Sequence, residues 1–516
     1  MTGPTDLDTP LDAIGRIETR GVDYITEPER HSRPRELAYV FFGTQLCFGI
    51  IVLGYLPISF GLSWWAAVSS TLVGLVVGSA MFAPLALLST RTGTNSAVSS
   101  GAHFGVVGRI VGSLVGIFTA VGFYALTVWT GGEALVAGLH KVFGTPDGDV
   151  ALGIGYAFIA AATLVVAVYG HASVVAANRF LIPSMGILLV IGAITLAPKF
   201  SAGPNPTPLL LGTFWPTWLI SATTAASLPI SYSPYVGDYT RYISGKRWSQ
   251  RRVMTAAGLG MFGGCAVALT FATYVATMFP ADITDWVAGL VQISPTWYAV
   301  PIVLVALAGS FAQAGLCVYG TGLDASSIIP ALKRVPATLL IGVIGTGVVF
   351  VGSFVYNLVS AASAFLIILI VITAPWVVIN IEGYLLSGRR YHPYDLQVFN
   401  LTPRVRGGAY WYTNGWNLAG MAAWVPATVM GLLFVNCTFY VGPWANAAGG
   451  VDLSFVSAAV IGGIAYPILT KLLPGSVVRI DADDQVDLSG DLARLTAAVP
   501  AQLSHEAAGD DAAALA

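Results

Sequence analysis

Runs of about 20 apolar residues, separated by short polar stretches, recur along the chain from residue 37 to residue 473. Each is long enough to cross the roughly 30 Å hydrocarbon core of a bilayer as a helix. The pattern predicts twelve spans, at about 37–62, 66–89, 110–139, 150–171, 178–198, 212–235, 253–279, 296–325, 337–357, 359–381, 415–441 and 453–473. A polar segment, 1–34, precedes the twelve-helix domain of 35–473, and a polar, acidic, Ala-rich tail, 474–516, follows it. Two spans are interrupted. The sixth runs into Ser227-Leu228-Pro229-Ile230-Ser231-Tyr232-Ser233-Pro234. Both prolines lack an N–H and clash with the preceding turn, so a continuous helix is not expected there. In the first span, Gly43 and Gly49 bracket the polar pair Thr44 and Gln45. Non-helical backbone at membrane depth survives only where it is buried in protein or lines a cavity.

Five spans precede the sixth, so it starts on the opposite side of the membrane from the first. Spans one to five (about 37–198) and six to ten (about 212–381) then form two halves of opposite topology, each opening with an interrupted helix. This is the pattern of an inverted repeat with a site at mid-depth. Helices eleven and twelve (about 415–473) stand outside it. No sequence identity joins the halves, so the repeat rests on topology.

Composition agrees with the spans. Of 516 residues, 55% are hydrophobic and 10% charged, with mean hydropathy +0.75; a soluble protein carries about 25% charged residues. The 58 glycines suit close helix packing. The net charge of −2 says nothing about nucleic acid, but no basic patch is large enough to bind it, so nucleic acid is not an expected partner. Cys47, Cys265, Cys317 and Cys437 lie singly in apolar segments, without metal or redox spacing. Residues 1–34 hold no apolar core of the signal-peptide type. Fourteen Lys and Arg fall in the even-numbered loops, against Lys141 and Lys199 in the odd ones. That bias predicts a multi-pass protein of the plasma (inner) membrane with both termini cytoplasmic.

Candidate chemistry is sparse. Glu133 is the one acid well inside a span, and a charge there costs at least ~2.5 kcal/mol. Trp129, one turn away, shares its face. Gly131 and Gly132 leave room for another backbone or a flat ligand. The pair reads either as an aromatic platform beside a hydrogen-bonding carboxylate or as a protonated Glu tied to a neighbouring helix. Gln313, in the eighth span, either binds a ligand or joins helices. Asp238, Asp324 and Glu382 sit at span ends near arginines, where gating or structural ion pairs are expected. The six histidines lie in loops, tails or span ends, none placed as a mid-membrane proton relay.

At Gly237-Asp238-Tyr239-Thr240-Arg241-Tyr242 the sequence resembles the nucleobase:cation symporter family, in its purine–cytosine permease branch. Trp129-Thr130-Gly131-Gly132-Glu133 is similar to the family's third-helix Trp–Gly–Gly–Gln pattern, and Gly15-Arg16-Ile17-Glu18-Thr19-Arg20-Gly21-Val22 to its N-terminal lead-in. Ile381-Glu382-Gly383-Tyr384-Leu385-Leu386, with Arg389 and Arg390, resembles the end of its tenth helix. The resemblance implies an all-α, leucine-transporter-type fold of five plus five inverted helices and two more. It also implies import of a nucleobase, cytosine or a purine, by symport with a proton or sodium ion through alternating access. Allantoin or hydantoin, a vitamin such as thiamine or pyridoxine, and a nucleoside are the alternative cargoes. A channel or an intramembrane enzyme is disfavoured, for want of a filter, paired acids or an activated nucleophile.

By the same resemblance Trp129 stacks on the substrate and Glu133 takes the place of a ring-binding Gln, with Gly132 beside them. Ser227, Ser231 and Tyr232 supply the sixth-helix wall, Gln45 or Cys47 the first-helix contact and Gln313 the eighth-helix amide. Cation or proton coupling falls to Gly43, Leu46, Ala308, Ser310 and Glu133, and gating to Asp238 and Arg241. Phe311 and Ala312 stand where sodium-coupled relatives carry hydroxyls, which favours a proton over sodium. The expected partners are a small heterocycle, a coupling cation and the bilayer, with no cofactor, no metal and no obligate protein partner.

Overall fold

The computed structural model describes residues 22–480, except 169–170, 281–282, 284, 330–331, 333, 357, 401–405, 438 and 450. The lead-in at 15–21 and the tail beyond 480 lie outside the described residues.

Among the described residues, eight helices are each long and apolar enough to cross a membrane. They are Trp64–Thr92, Ile110–Phe143, Arg179–Lys199, Gln250–Ala276, Thr296–Gln313, Val335–Val355, Leu358–Leu386 and Ser454–Leu472. The remaining four expected spans are less regular. The first is the pair Pro34–Leu46 and Phe48–Ser59, bent by 72°. The sixth is split into Phe214–Ser231 and Ser233–Thr240. Over the described residues, the fourth, Asp149–Val165, and the eleventh, Leu418–Phe434, are shorter apolar helices. The eleventh span ends seven residues before the expected 441, because Val435 turns extended and Asn436–Cys437 pairs with Tyr440–Val441 in a small antiparallel hairpin. Exposed tryptophans mark one end of the bundle, with Trp65, Trp215 and Trp297 near the starts of spans two, six and eight. Such rings sit at a membrane–water interface.

The helix pairing carries the inverted repeat. Span one packs on span seven, and its counterpart, span six, packs on span two. Spans three and eight form the most extensive pair; three packs on nine as eight packs on four. Each half also adds a short helix where a plain loop was expected, Ser96–Phe104 after span two and Trp286–Ile293 after span seven. Both are capped by a side chain: Asn95 Oδ1 accepts from Val98 N at 3.2 Å and Asp285 Oδ1 from Ala288 N at 2.7 Å.

A small-residue pair makes each close packing possible. On span seven, a Cβ at Gly260 would lie 2.6 Å from Ala38 O, and one at Gly264 would lie 2.8 Å from Phe42 Cα. On span two, Gly74 and Gly78 face the carbonyls of Ala222 and Ala226 in the same way. In lipid, such close approach supplies association that the hydrophobic effect does not. Gly260→Val forces two backbones apart, so a loss on the order of 1–3 kcal/mol is expected, seen as a thermal midpoint lowered by several degrees in detergent. Gly186→Val, which meets nothing within 4 Å, serves as the neutral control. An unchanged midpoint for both would refute the packing argument.

Candidate functional site: the crossing of the two broken helices

The first break is the extended residue Cys47 (φ −87°, ψ 153°), which follows a tight turn over Thr44–Leu46. The second is narrower than the two prolines suggested. Pro229 stays inside the helix and Pro234 sits in the first turn of the next one, where a missing N–H costs least. Only Tyr232 lies between the two helices, and its own backbone remains right-handed (φ −80°, ψ −1°).

Both breaks rest on spans three and eight. On span three, Phe123 stacks on the Tyr232 ring at 4.8 Å and meets Phe365 of span ten edge-on at 5.4 Å. One turn further along the same face, Thr127 Oγ1 lies 4.0 Å from Cys47 Sγ. On span eight, Gly309 accommodates Cys47, and Gln313 Nε2 donates to Tyr232 Oη. Among the described residues, Gln313 Oε1 is buried without a partner. Gln45 Oε1 accepts from Cys265 Sγ of span seven at 3.5 Å. Phe123, Gln45, Tyr232 and Gln313 are all fully buried. The crossing therefore offers an aromatic face and neutral donors and acceptors, with no charge among these side chains. That chemistry suits a neutral, planar, hydrogen-bonding molecule.

The other expected site residues are dispersed. Ser227 Oγ donates to Leu366 O of span ten at 2.8 Å, with Ser231 Oγ 3.4 Å from it. Trp129 and Glu133 are not brought to the breaks. Two residues beyond Thr127 on an α-helix is a turn of roughly 200°, so they point to the far side of span three. There Trp129 Nε1 donates to Glu133 Oε1 at 2.7 Å, and the indole packs against Gly352 of span nine. Gly132 faces Tyr156 of span four, and a Cβ at Gly131 would lie 2.7 Å from Ser310 Oγ of span eight. The two glycines thus serve approaching helices. Sequence reasoning missed Phe123 and Thr127, which share the i, i+4 spacing of Trp129 and Glu133; the helix phase relative to the breaks separates the two pairs.

Of the residues expected at a cation site, Leu46 presents its carbonyl to Gly309, while Gly43 meets Ile182 of span five. Ser310 turns to span three instead. Ala308 is partly buried. Among the described residues, no group of three or more His, Cys, Asp or Glu is placed to hold a metal ion.

Beyond the sixth-helix break, Tyr235 Oη donates to Gly116 O and Gly237 N to Ser96 Oγ at 2.9 Å. Asp238 packs against Gly320 of span eight, and Asp324 against Gly116 of span three. Asp238 and Arg241 are buried rather than displayed at a span end, and Arg241 lies over the Tyr242 ring at 5.0 Å. His103, in the short helix after span two, is pushed down to about 3 by burial and is neutral near pH 7.

The N-terminal segment closes this end. Ile25 N donates to Gly93 O at 2.9 Å, Ser32 N to Tyr242 O at 3.0 Å and Gln397 Nε2 to Val22 O at 3.1 Å. Although polar in sequence, its described part from Val22 onward is packed into the fold, with Val22, Ile25 and Arg30 buried.

The fold recurs in solved structures. Mhp1, a nucleobase-cation-symport-1 family transporter in a closed conformation with bromovinylhydantoin bound, superposes with TM-score 0.68 at 17% identity, over 90% of this chain and 97% of its own. The inward-facing conformation of Mhp1 gives 0.67 at 16% identity, over 88% and 96%. At these identities the likeness establishes the fold. In sequence, YxlA of Bacillus subtilis (strain 168), whose name provisionally places it among purine-cytosine permeases, is 23% identical over 472 residues, 88% of this chain and 96% of its own. A family described as permease for cytosine/purines, uracil, thiamine, allantoin matches residues 24–456. The crossing of broken helices described above thus lies in a chain that belongs to the family of permeases for cytosine and purines, uracil, thiamine and allantoin.

Proposed function

We propose that the protein imports a nucleobase, cytosine or a purine, by symport with a cation, and that the ligand sits where Phe123, Thr127, Cys47, Tyr232 and Gln313 converge. The observation that carries the reading is the Gln313 amide. It reaches the residue at which span six breaks and keeps its carbonyl oxygen buried and unpaired. An orphaned buried acceptor costs about 1–3 kcal/mol, and a ring N–H or exocyclic amine would offset that. Trp129 and Glu133 are then positioned behind the ligand wall rather than against the ligand. The test is uptake of radiolabelled cytosine, adenine, guanine, hypoxanthine, allantoin and thiamine into proteoliposomes. Saturable accumulation of a nucleobase is expected. Accumulation of allantoin or thiamine alone would replace the cargo, and gradient-independent flux would replace the mechanism. Phe123→Ala is expected to cut uptake at least about 10-fold, as the stacking face and its buried area are lost. Trp129→Ala is expected to stay within about threefold of the parent per folded molecule, since it removes no ligand contact. The reverse order would return the site to the Trp129 face.

For coupling we favour a proton. A sodium ion wants several oxygen ligands; Gly309, the span-eight residue against the first break, offers no hydroxyl, and Ser310 turns to span three. Glu133 Oε2 and Asp324 Oδ2 are each buried without a partner, and either can carry the proton. Uptake driven by an imposed pH gradient is expected to fail in Glu133→Gln or in Asp324→Asn. Undiminished pH-driven uptake in both variants, or uptake driven by a sodium gradient alone, would overturn proton coupling through these acids.

A further inference from the structure

A groove of about 600 Å³ opens between the start of span one and the first turns of span seven. Arg33, Arg35, Arg251 and Arg252 line it, together with Trp248 and Leu259. All four arginines are exposed, and among the described residues none is in an ion pair. The adjacent acid, Glu36, is already engaged, by Arg179 at 3.5 Å and by the Arg33 backbone N–H at 3.0 Å. The groove is therefore a concentration of four like charges with no internal counter-charge. Its other wall is apolar: Leu259 is 63% exposed, on a helix face that no other part of the described protein covers.

These two features call for one kind of molecule. A phosphodiester among the guanidiniums would make charge-assisted and bidentate hydrogen bonds. Acyl chains continuing from it would cover Leu259, which a soluble anion would leave bare. The Lys and Arg bias of the loops places this end of the bundle in the cytoplasm. Basic pockets between helices on that side take anionic lipid headgroups. We propose that the groove binds an anionic phospholipid of the inner leaflet. The arginines come from two elements, so the headgroup bridges span one, which carries the first break, to span seven, against which it packs through Gly260 and Gly264. The lipid thereby braces the first half of span one.

The test uses the full-length protein, with native mass spectrometry and thermal unfolding in phosphatidylglycerol, in phosphatidylcholine and in inorganic phosphate without lipid. R33Q/R35Q/R251Q/R252Q is compared with K246Q/R247Q, which removes two exposed charges from the same connection but outside the groove. Phosphatidylglycerol is expected to bind and stabilise the parent and the control. Its affinity for the groove variant should fall roughly 600-fold, from about fivefold per arginine at the membrane surface. The pairs R33Q/R35Q and R251Q/R252Q, each expected to fall part of the way, cover the case in which the fourfold variant does not fold. Equal phosphatidylglycerol binding by groove variants and control, equal stabilisation by phosphatidylcholine, or reproduction of the effect by inorganic phosphate would each overturn the proposal.

Discussion

Gln313→Ala is expected to raise the concentration for half-maximal uptake about 100-fold while leaving the protein folded. A buried amide that pairs with a ligand edge discriminates strongly, because its loss leaves the partner group on the ligand unsatisfied; such contacts are worth about 1–3 kcal/mol each, and more where two are made. The amide also holds Tyr232 through the bond to its hydroxyl, so its removal loosens the ring on which Phe123 stacks. Tyr232→Phe keeps the ring and removes only the acceptor, and a smaller loss of about 10-fold is expected. The two effects should not add: Gln313→Ala/Tyr232→Phe should resemble Gln313→Ala alone, since residues sharing one bond couple by about 0.5–3 kcal/mol. Equilibrium binding by scintillation proximity or thermal shift separates affinity from turnover. Normal affinity in Gln313→Ala would remove this residue from the site.

The second large effect is expected at Arg30. Its guanidinium is 3% exposed, donating from Nε to Ile25 O at 3.0 Å and from Nη1 to Thr90 O at 3.0 Å and Glu27 Oε1 at 2.8 Å. Glu27 in turn accepts from Ser244 Oγ at 2.7 Å. One ion pair thus ties the N-terminal segment to the end of span two and to the connection after span six. Arg30→Ala leaves the Thr90 and Ile25 carbonyls short of a donor and Glu27 short of its counter-charge. Breaking a buried pair costs about 3–5 kcal/mol, and the partial exposure of Glu27 brings that to about 2 kcal/mol here. Local opening of residues 22–33 should then become roughly 30-fold more frequent, read as faster amide hydrogen exchange confined to that segment. Easier opening on one side shifts the populations on which alternating access depends, so the steady-state accumulation ratio should fall even where initial uptake does not. Exchange unchanged from the parent would show that the segment is not held by Arg30.

Much of the fold was legible in advance, and the reasons are physical. Lipid demands long apolar helices, so the twelve spans stood out by length. The Lys and Arg bias supported their number. Pro229 and Pro234 marked the sixth-helix break, and Gly43 and Gly49 the first, because irregular backbone inside a membrane must be signalled by residues that permit it. The repeat was also written in the chain at a level that identity does not reveal. Gly74 and Gly78 on span two, and Gly260 and Gly264 on span seven, share a spacing on corresponding helices.

The site was less legible. Glu133 drew attention as a lone acid in an apolar helix, and Trp129 as its neighbour. Hydropathy has no phase, so nothing in it says which side of span three faces the breaks. By itself the sequence determined that this is a membrane transporter with two helices broken at depth, because burial of backbone in lipid leaves few alternatives. Only the tertiary structure decided which side chains meet there. It turned Phe123 and Thr127 inward, turned Trp129 and Glu133 towards spans four and nine, and docked residues 22–33 of the polar N-terminal segment against the ends of spans two and six. Those outcomes depend on the rotation of each helix about its axis, which is set by packing against neighbours distant in the chain.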